Sequence, residues 1–179
     1  MAIEVEIRSL LTKRKYQELK KQLYRFLKSD DFQETYYFKG KDLRTQRNRY
    51  YGKIWLKSGN IHDNQREELE VRFSRQDFNK MNQILNKLGF KTEVKWLRKR
   101  LHYKWKKIDV SLDHTQGYGH IIELERLCSH KDKDMVLKQL REGLGELGLS
   151  ETPRSVFEKK LANYKRNWKA LIKPQQESS

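Results

Sequence analysis

Apolar and polar residues alternate one by one at the start of the chain, then switch to a spacing of three and four. In IEVEIR, Ile3, Val5 and Ile7 fall on one side of an extended strand and Glu4, Glu6 and Arg8 on the other, because successive strand side chains point to opposite faces. The stretch 10–28 then places Leu11, Tyr16, Leu19, Leu23 and Leu27 at helical spacing, with Thr12 as a candidate N-cap, and predicts an amphipathic helix. Strand-like segments return in FQETYYFKG, DLRTQRNR and YGKIWLK; SGNIHDN reads as a turn, and REELEVRF resumes the strand pattern. Residues 75–88 predict a second helix with Phe78, Met81, Ile84 and Leu85 as its apolar stripe and Gly89 as its stop. Three more strands follow in EVKWLRKRLHYKW, KIDVSLD and HIIELERL, before helical patterns at KDMVLKQLREGL and SVFEKKLANYKRNWKALI. Residues 1–173 read as a single domain and the polar 174–179 as a disordered tail.

The division of faces seen in the first strand recurs. REELEV puts Arg66, Glu68 and Glu70 on one side with Leu69 and Val71 opposite, and HIIELERL sets Glu123 and Glu125 against Ile122 and Leu124. LRKRLHYK aligns Arg98, Arg100, His102 and Lys104, while GKIWLK aligns Lys53, Trp55 and Lys57. On one strand the pattern means only a half-buried sheet with a solvated face. Repeated over the chain, it fits two arrangements: an open sheet whose charges face water, or a closed sheet with helices outside, whose charges line the interior. The helical stripes at 10–28 and 75–88 need an apolar partner, which the Ile/Val/Leu alternation supplies, so the charges turn to the other side.

Composition narrows the chemistry. A net charge of +16 favours an anionic partner, without telling nucleic acid from a phosphorylated small molecule. Cys128 alone excludes an internal disulfide and reads as a small packing residue. No stretch suits a bilayer span and MAIEVEIRSLL has no signal-peptide run, so a cytoplasmic protein without a membrane partner is expected. Glutamates gathered on one confined face would repel, a like pair at 4 Å costing about 4 kcal/mol at an effective dielectric near 20. They call for cations, and oxygen donors of this kind suit Mg²⁺ or Mn²⁺. Arginines and lysines on neighbouring strands suit phosphate, so carboxylates plus a basic wall fit a metal-bound polyphosphate. Lys159, Lys160, Lys165, Arg166, Lys169 and Lys173, interleaved with Tyr164 and Trp168, suggest in addition a nucleic-acid contact on the C-terminal helix, or simply a basic outer face. A non-catalytic binder of polyphosphate or nucleic acid has no use for glutamates on its anion-binding surface.

Taken in order, these segments resemble the CYTH, or triphosphate tunnel metalloenzyme, superfamily. EVEIR is similar to its E-x-E-x-K signature, with Arg8 where lysine is usual. Leu43 and Arg44 begin an L-R-x-R that Thr45 and Gln46 break, and IWLKSG, REELE and RKR follow in the family's order. LDHTQGYGHIIELE resembles the family's aspartate, Gly-x-Gly turn and final E-x-E, with Tyr118 enlarging the turn, and TPRSVFEKKL is similar to a segment of the class IV adenylate cyclase branch. The resemblance implies an α+β fold: an eight-stranded antiparallel closed β-barrel, the triphosphate tunnel, with helices packed outside. It implies that Glu4, Glu6, Glu68, Glu70, Asp113, Glu123 and Glu125 hold Mg²⁺ or Mn²⁺ and that Arg44, Lys57, Arg66, Arg98 and Arg100 bind the triphosphate. Glu4, Glu6 and Arg8 are the implied catalytic group, Arg8 bridging the two sets, while His114 reads as structural. ATP or another triphosphate is the implied substrate, and a homodimer is left open. Two reactions fit: conversion of ATP to cyclic AMP and pyrophosphate, favoured by LDHTQGYGH and TPRS, or hydrolysis of inorganic tripolyphosphate, thiamine triphosphate or an RNA 5′-triphosphate.

Overall fold

The computed structural model describes residues 2–57 and 68–172. In chain order they form β1 (Ala2–Leu11), α1 (Lys13–Gln22), β2 (Leu27–Phe38), β3 (Asp42–Arg47), β4 (Tyr51–Lys57) and β5 (Glu68–Ser74). Then come α2 (Phe78–Lys87), β6 (Thr92–Trp105), β7 (Ile108–Thr115), β8 (Gly119–Ser129), α3 (Lys133–Glu146) and α4 (Arg154–Leu171). The fold is α+β: one eight-stranded antiparallel sheet, in the order β1-β8-β7-β6-β2-β3-β4-β5, with four helices. The order has two ends, β1 and β5, among the described residues, so the pairing does not draw the closed circuit expected from the resemblance. Alternation dictates which face a side chain takes; it does not dictate that the two ends of a sheet meet. No helix among the described residues is long and apolar enough to cross a membrane.

The chain groups into two compact units, residues 1–30 with 99–164 and residues 31–98 with 165–179. In the first, Val5 and Ile7 of β1, Val110 and Leu112 of β7 and Ile122 and Leu124 of β8 form one core with Tyr16 and Leu19 of α1 and Val136, Leu140 and Leu144 of α3. Each such side chain, fully buried, contributes about 1.5 to 3 kcal/mol. The apolar alternation of these strands therefore lies under helices, and the charged alternation takes the other face. β1 runs on to Leu11, where the helical spacing predicts a helix already begun, because its ladder with β8 continues to the Leu11–His120 pair. α1 starts only at Lys13, whose turn is capped by the Thr12 hydroxyl accepting from the Lys15 amide at 3.1 Å. Leu27 belongs to β2 rather than to that helix.

The outer edge of β1 is occupied by its own chain. The Thr152 amide donates to the Arg8 carbonyl at 3.0 Å, and the Thr152 hydroxyl accepts from the Leu10 amide at 3.0 Å, so the strap before α4 covers part of an otherwise bare edge. β6 and β7 are joined by Lys106 and Lys107 alone, both at positive φ (48° and 65°), the geometry of a two-residue hairpin turn matched to strand twist.

In the second unit Phe38, Leu43 and Leu85 pack with Tyr36, Ile54, Leu56, Met81 and Phe90. The buried residues of α2 are Phe78, Asn82 and Leu85, with Met81 packed against the same cluster; of the predicted stripe only Ile84 departs, at 53% exposed. Asn82 displaces it because its side chain is satisfied, accepting from the buried Thr45 hydroxyl at 2.7 Å and donating to the Phe78 carbonyl at 2.8 Å. Leu69 and Val71, expected on an apolar face, are exposed on the terminal strand β5.

Candidate active site

The charged face of the first unit is assembled by register. β1 and β8 pair Glu6 with Glu125 and Arg8 with Glu123; β8 and β7 pair Glu125 with Asp109 and Glu123 with Ser111. Directly opposed strand residues bring their Cβ atoms to about 5 Å, so Glu6, Glu125 and Asp109 form a row of acids across three strands. Glu4, Glu6 and Glu125 converge further, each presenting a carboxylate oxygen within 4.8 Å of the others. Glu6 also pairs with Arg8. The cluster is short of positive charge. Loss of hydration, then repulsion from Glu4 and Glu123, pushes the Glu125 carboxyl up to about 7. Glu6 moves in the same direction, chiefly from loss of hydration with Glu123 and Glu4 adding to it, against the pull of Arg8.

The remaining acids of this face are matched with cations. Glu123 lies between two guanidinium groups, ion-paired with Arg8 Nε at 3.2 Å and accepting a hydrogen bond from Arg100 Nη2. Arg100 forks onto Asp113, with Nε to Oδ1 at 2.8 Å and Nη2 to Oδ2 at 2.7 Å, and Asp113 is almost completely buried. Burial works against the Arg100 charge, and the bonds and charges of Asp113 and Glu123 more than offset it, so its pKa is raised. Asp109 holds Lys104 at 2.6 Å and His102 at 3.1 Å. His114 points the other way and stacks on His120, ring centroids 4.5 Å apart, beside Tyr16 of α1. Tyr118, which enlarges the turn before β8, is buried edge-on against Tyr164 of α4.

The second unit carries the other basic residues. Arg44 pairs with Asp42 at 2.7 Å and lies over the rings of Tyr37 and Trp55. Lys53 pairs with Glu70 at 2.7 Å and covers Trp55, Arg72 reaches Glu70 at 3.1 Å, and Arg98 donates through Nε to Gln33 at 3.1 Å. Hydrogen bonds from Lys53 and Arg72 hold the Glu70 carboxyl below its ordinary value. Backbone register sets Lys57 opposite Glu68 and Asp42, and Arg66 lies outside the described residues. On α4, Lys165 pairs with Glu93 at 3.0 Å and Trp168 donates to the Glu93 carbonyl at 2.9 Å, so both groups fasten the helix.

The first unit thus brings together Glu4, Glu6, Arg8, Arg100, Asp113, Glu123 and Glu125, while Glu68, Glu70, Arg44, Lys57 and Arg98 sit on strands of the second or cross into it. Asp109 was missed from sequence, although its spacing of four from Asp113 puts it on the same face of one strand.

The CYTH domain model matches residues 2–156. The chain belongs to the CYTH family. This CYTH domain is 36% identical over 164 residues to the Methanocaldococcus jannaschii protein named "Putative adenylate cyclase MJ0240", covering 83% of the chain and 91% of that protein. Among solved structures, the PH1819 protein of Pyrococcus horikoshii superposes with a TM-score of 0.70 at 25% identity, over 89% of this chain and 99% of that one. A Hippeastrum protein superposes with a TM-score of 0.65 at 19% identity, over 98% and 99% of the two chains; it is described as a "putative adenylyl cyclase" with a dominant triphosphatase activity.

Proposed function

We propose that this CYTH domain is a metal-dependent enzyme acting on a triphosphate, and that its reaction is the conversion of ATP to cyclic AMP and pyrophosphate. The observation that carries this is the trio Glu4, Glu6 and Glu125 on the same face as Arg8 and Arg100. The trio fits a hard divalent cation: its donors are all carboxylate oxygens, and burial, then repulsion among the carboxylates, raises the pKa of Glu6 and Glu125, a cost that Mg²⁺ or Mn²⁺ would offset. When bound, such an ion neutralises phosphate oxygens and stabilises the charge that develops on the leaving group. Arg8, anchored by Glu6 and Glu123, and Arg100, anchored by Asp113 and Glu123, present guanidinium groups whose planes suit phosphate oxygens. By resemblance, Arg44, Lys57, Arg66 and Arg98 are assigned to the triphosphate as well. In the reaction the ribose 3′-hydroxyl loses its proton to water as its oxygen forms a bond to the α-phosphorus, the bond to the bridging oxygen breaks, and pyrophosphate departs.

A second reading is hydrolysis, in which water bonds to the terminal phosphorus, the bond to the bridging oxygen breaks with the diphosphate as leaving group, and the attacked phosphorus is released as orthophosphate. Thr152, in the TPRS segment that favours the cyclase from sequence, pins β1 through the Leu10 amide and the Arg8 carbonyl, a structural task that either reaction needs. The Hippeastrum protein, which shares the fold and is described with a dominant triphosphatase activity, supports this second reading. Purified protein incubated with ATP, tripolyphosphate and thiamine triphosphate, in Mg²⁺ and in Mn²⁺, decides between them by chromatography of the products. Cyclic nucleotide with pyrophosphate supports the cyclase; orthophosphate without any cyclic nucleotide supports the hydrolase; no turnover with any substrate refutes both.

A further inference from the structure

Asp113 is the acid on this face that the metal reading fits worst. It pairs on β8 with Ile121, four residues from Glu125, which at about 3.3 Å per residue is roughly 13 Å along the strand. Side chains reaching toward one another over that span do not bring both carboxylates to the ~2.1 Å that a shared Mg²⁺ demands. Both of its oxygens are instead taken by Arg100, and its side chain is only 2% exposed. The fork fixes the plane of the guanidinium and uses its Nε and one side of Nη2, while Nη2 also reaches Glu123. Nη1 makes no hydrogen bond among the described residues, and Arg100 stays 24% exposed.

We infer that Asp113 is a positioning residue: it clamps Arg100 by one edge so that the opposite edge, Nη1, is held toward a phosphate oxygen of the substrate. The inference rests on the triphosphate reading above. It differs from a merely structural ion pair in the sign of one effect. Asp113 is an anion close to an anion-binding residue, so if its charge alone mattered, neutralising it would tighten phosphate binding. If it positions Arg100, neutralising it loosens binding despite the lost repulsion.

The test is calorimetric titration of wild-type protein, Asp113→Asn, Arg100→Lys and the double variant, with tripolyphosphate in metal-free buffer and separately with Mn²⁺ alone. Asp113→Asn is expected to weaken tripolyphosphate binding about tenfold, the loss of one charge-assisted hydrogen bond, and to leave Mn²⁺ binding as in the wild type. In the Arg100→Lys background the same change adds little, since lysine has no fork to align. Equal or tighter tripolyphosphate binding by Asp113→Asn overturns the inference, and so does a loss of Mn²⁺ binding, which would make Asp113 a metal ligand. Should Asp113→Asn fail to fold by circular dichroism, Arg100→Lys alone decides: it keeps the charge facing Asp113 and loses the fork, and wild-type affinity overturns the inference. A wild-type protein that binds no tripolyphosphate also overturns it. One that binds tripolyphosphate but turns over none of the substrates removes the enzyme reading and leaves this one standing.

Discussion

Glu70 on β5 and Glu125 on β8 each end an E-x-E pair on a charged strand face, and there the likeness stops. Glu70 accepts from Lys53 and Arg72 and is held below its ordinary pKa, whereas Glu125 faces Glu4 and Glu6 and is pushed up to about 7. The difference comes from the strands alongside. β4 offers Lys53 to Glu70, while β1 and β7 bring Glu6 and Asp109 directly opposite Glu125. A charged face is therefore not enough to make a site. What sets the first unit apart is a register that places acid against acid, leaving a deficit that either a proton or an added cation removes.

The largest effect should come from cutting into that deficit. Glu125→Gln and Glu4→Gln are expected to lower kcat/KM with Mg²⁺ by at least about 100-fold, while the fold survives, because several kcal/mol of metal-borne charge stabilisation are lost. Glu70→Gln should cost no more than a few-fold, since its partners already satisfy it. Equal losses at Glu70 and Glu125 would erase the contrast between the two regions. Next, Arg100→Ala should weaken tripolyphosphate binding by about 1.5 to 3 kcal/mol. It should also lower unfolding stability by about 3 kcal/mol, because Asp113 is left buried without its counter-charge. Lys165→Ala, on the outer helix and paired with Glu93, should leave tripolyphosphate binding unchanged; a matching loss there would point to diffuse attraction by the basic surface.

A smaller effect tests the second unit by itself. A Cβ on Gly52 would sit 2.2 Å from the Phe73 ring, its cross-strand partner, so Gly52→Ala should cost about 1 to 3 kcal/mol of stability in denaturant titration. If that packing is confined to β4 and β5, Mn²⁺ binding by the surviving folded protein is unaffected.

The smallest effect is a slope. The Glu125 carboxyl, with a folded pKa of about 7 against an ordinary 4.5, favours folding fully below about pH 4.5, where it is protonated in both states. That contribution is lost as pH rises through 7, because the unfolded chain ionises first. Metal-free stability should therefore decline between pH 4.5 and 7, and Mn²⁺ affinity should rise through the same window as protons stop competing. Glu70 acts in the opposite sense: its lowered pKa favours folding above its ordinary value and is lost on acidification below it. A thermal-melt series across pH with and without Mn²⁺ checks both, and a Mn²⁺ affinity flat across that window would separate Glu125 from the metal.

Much of the site was legible because strand alternation is local. From IEVEIR and HIIELERL alone, Glu4, Glu6, Glu123 and Glu125 take the face opposite Val5, Ile7, Ile122 and Leu124, and the last four are buried in one core. What each acid meets was not legible, since partners come from strands distant in sequence. Glu123 and Asp113 look like further members of the acidic set when read along the chain, yet Arg8 and Arg100 claim them. The same limit explains the helices. Spacing predicts Ile84 inside and stays silent on Asn82, but a buried amide is admitted when Thr45 and the Phe78 carbonyl satisfy it.

The sequence by itself determined the faces: a backbone that flips each side chain by half a turn, and helices that return every three or four residues, leave no choice about which residues are carried together. Only the tertiary structure decided the pairings. Shifting β1 by two residues against β8 would keep every apolar group in the core and every charge on the other face, yet it would part Glu6 from Glu125 and Arg8 from Glu123. Periodicity cannot distinguish those registers, because both satisfy the hydrophobic pattern. The ladder of hydrogen bonds and the packing of α1 and α3 beneath it select one, and with it the carboxylate trio.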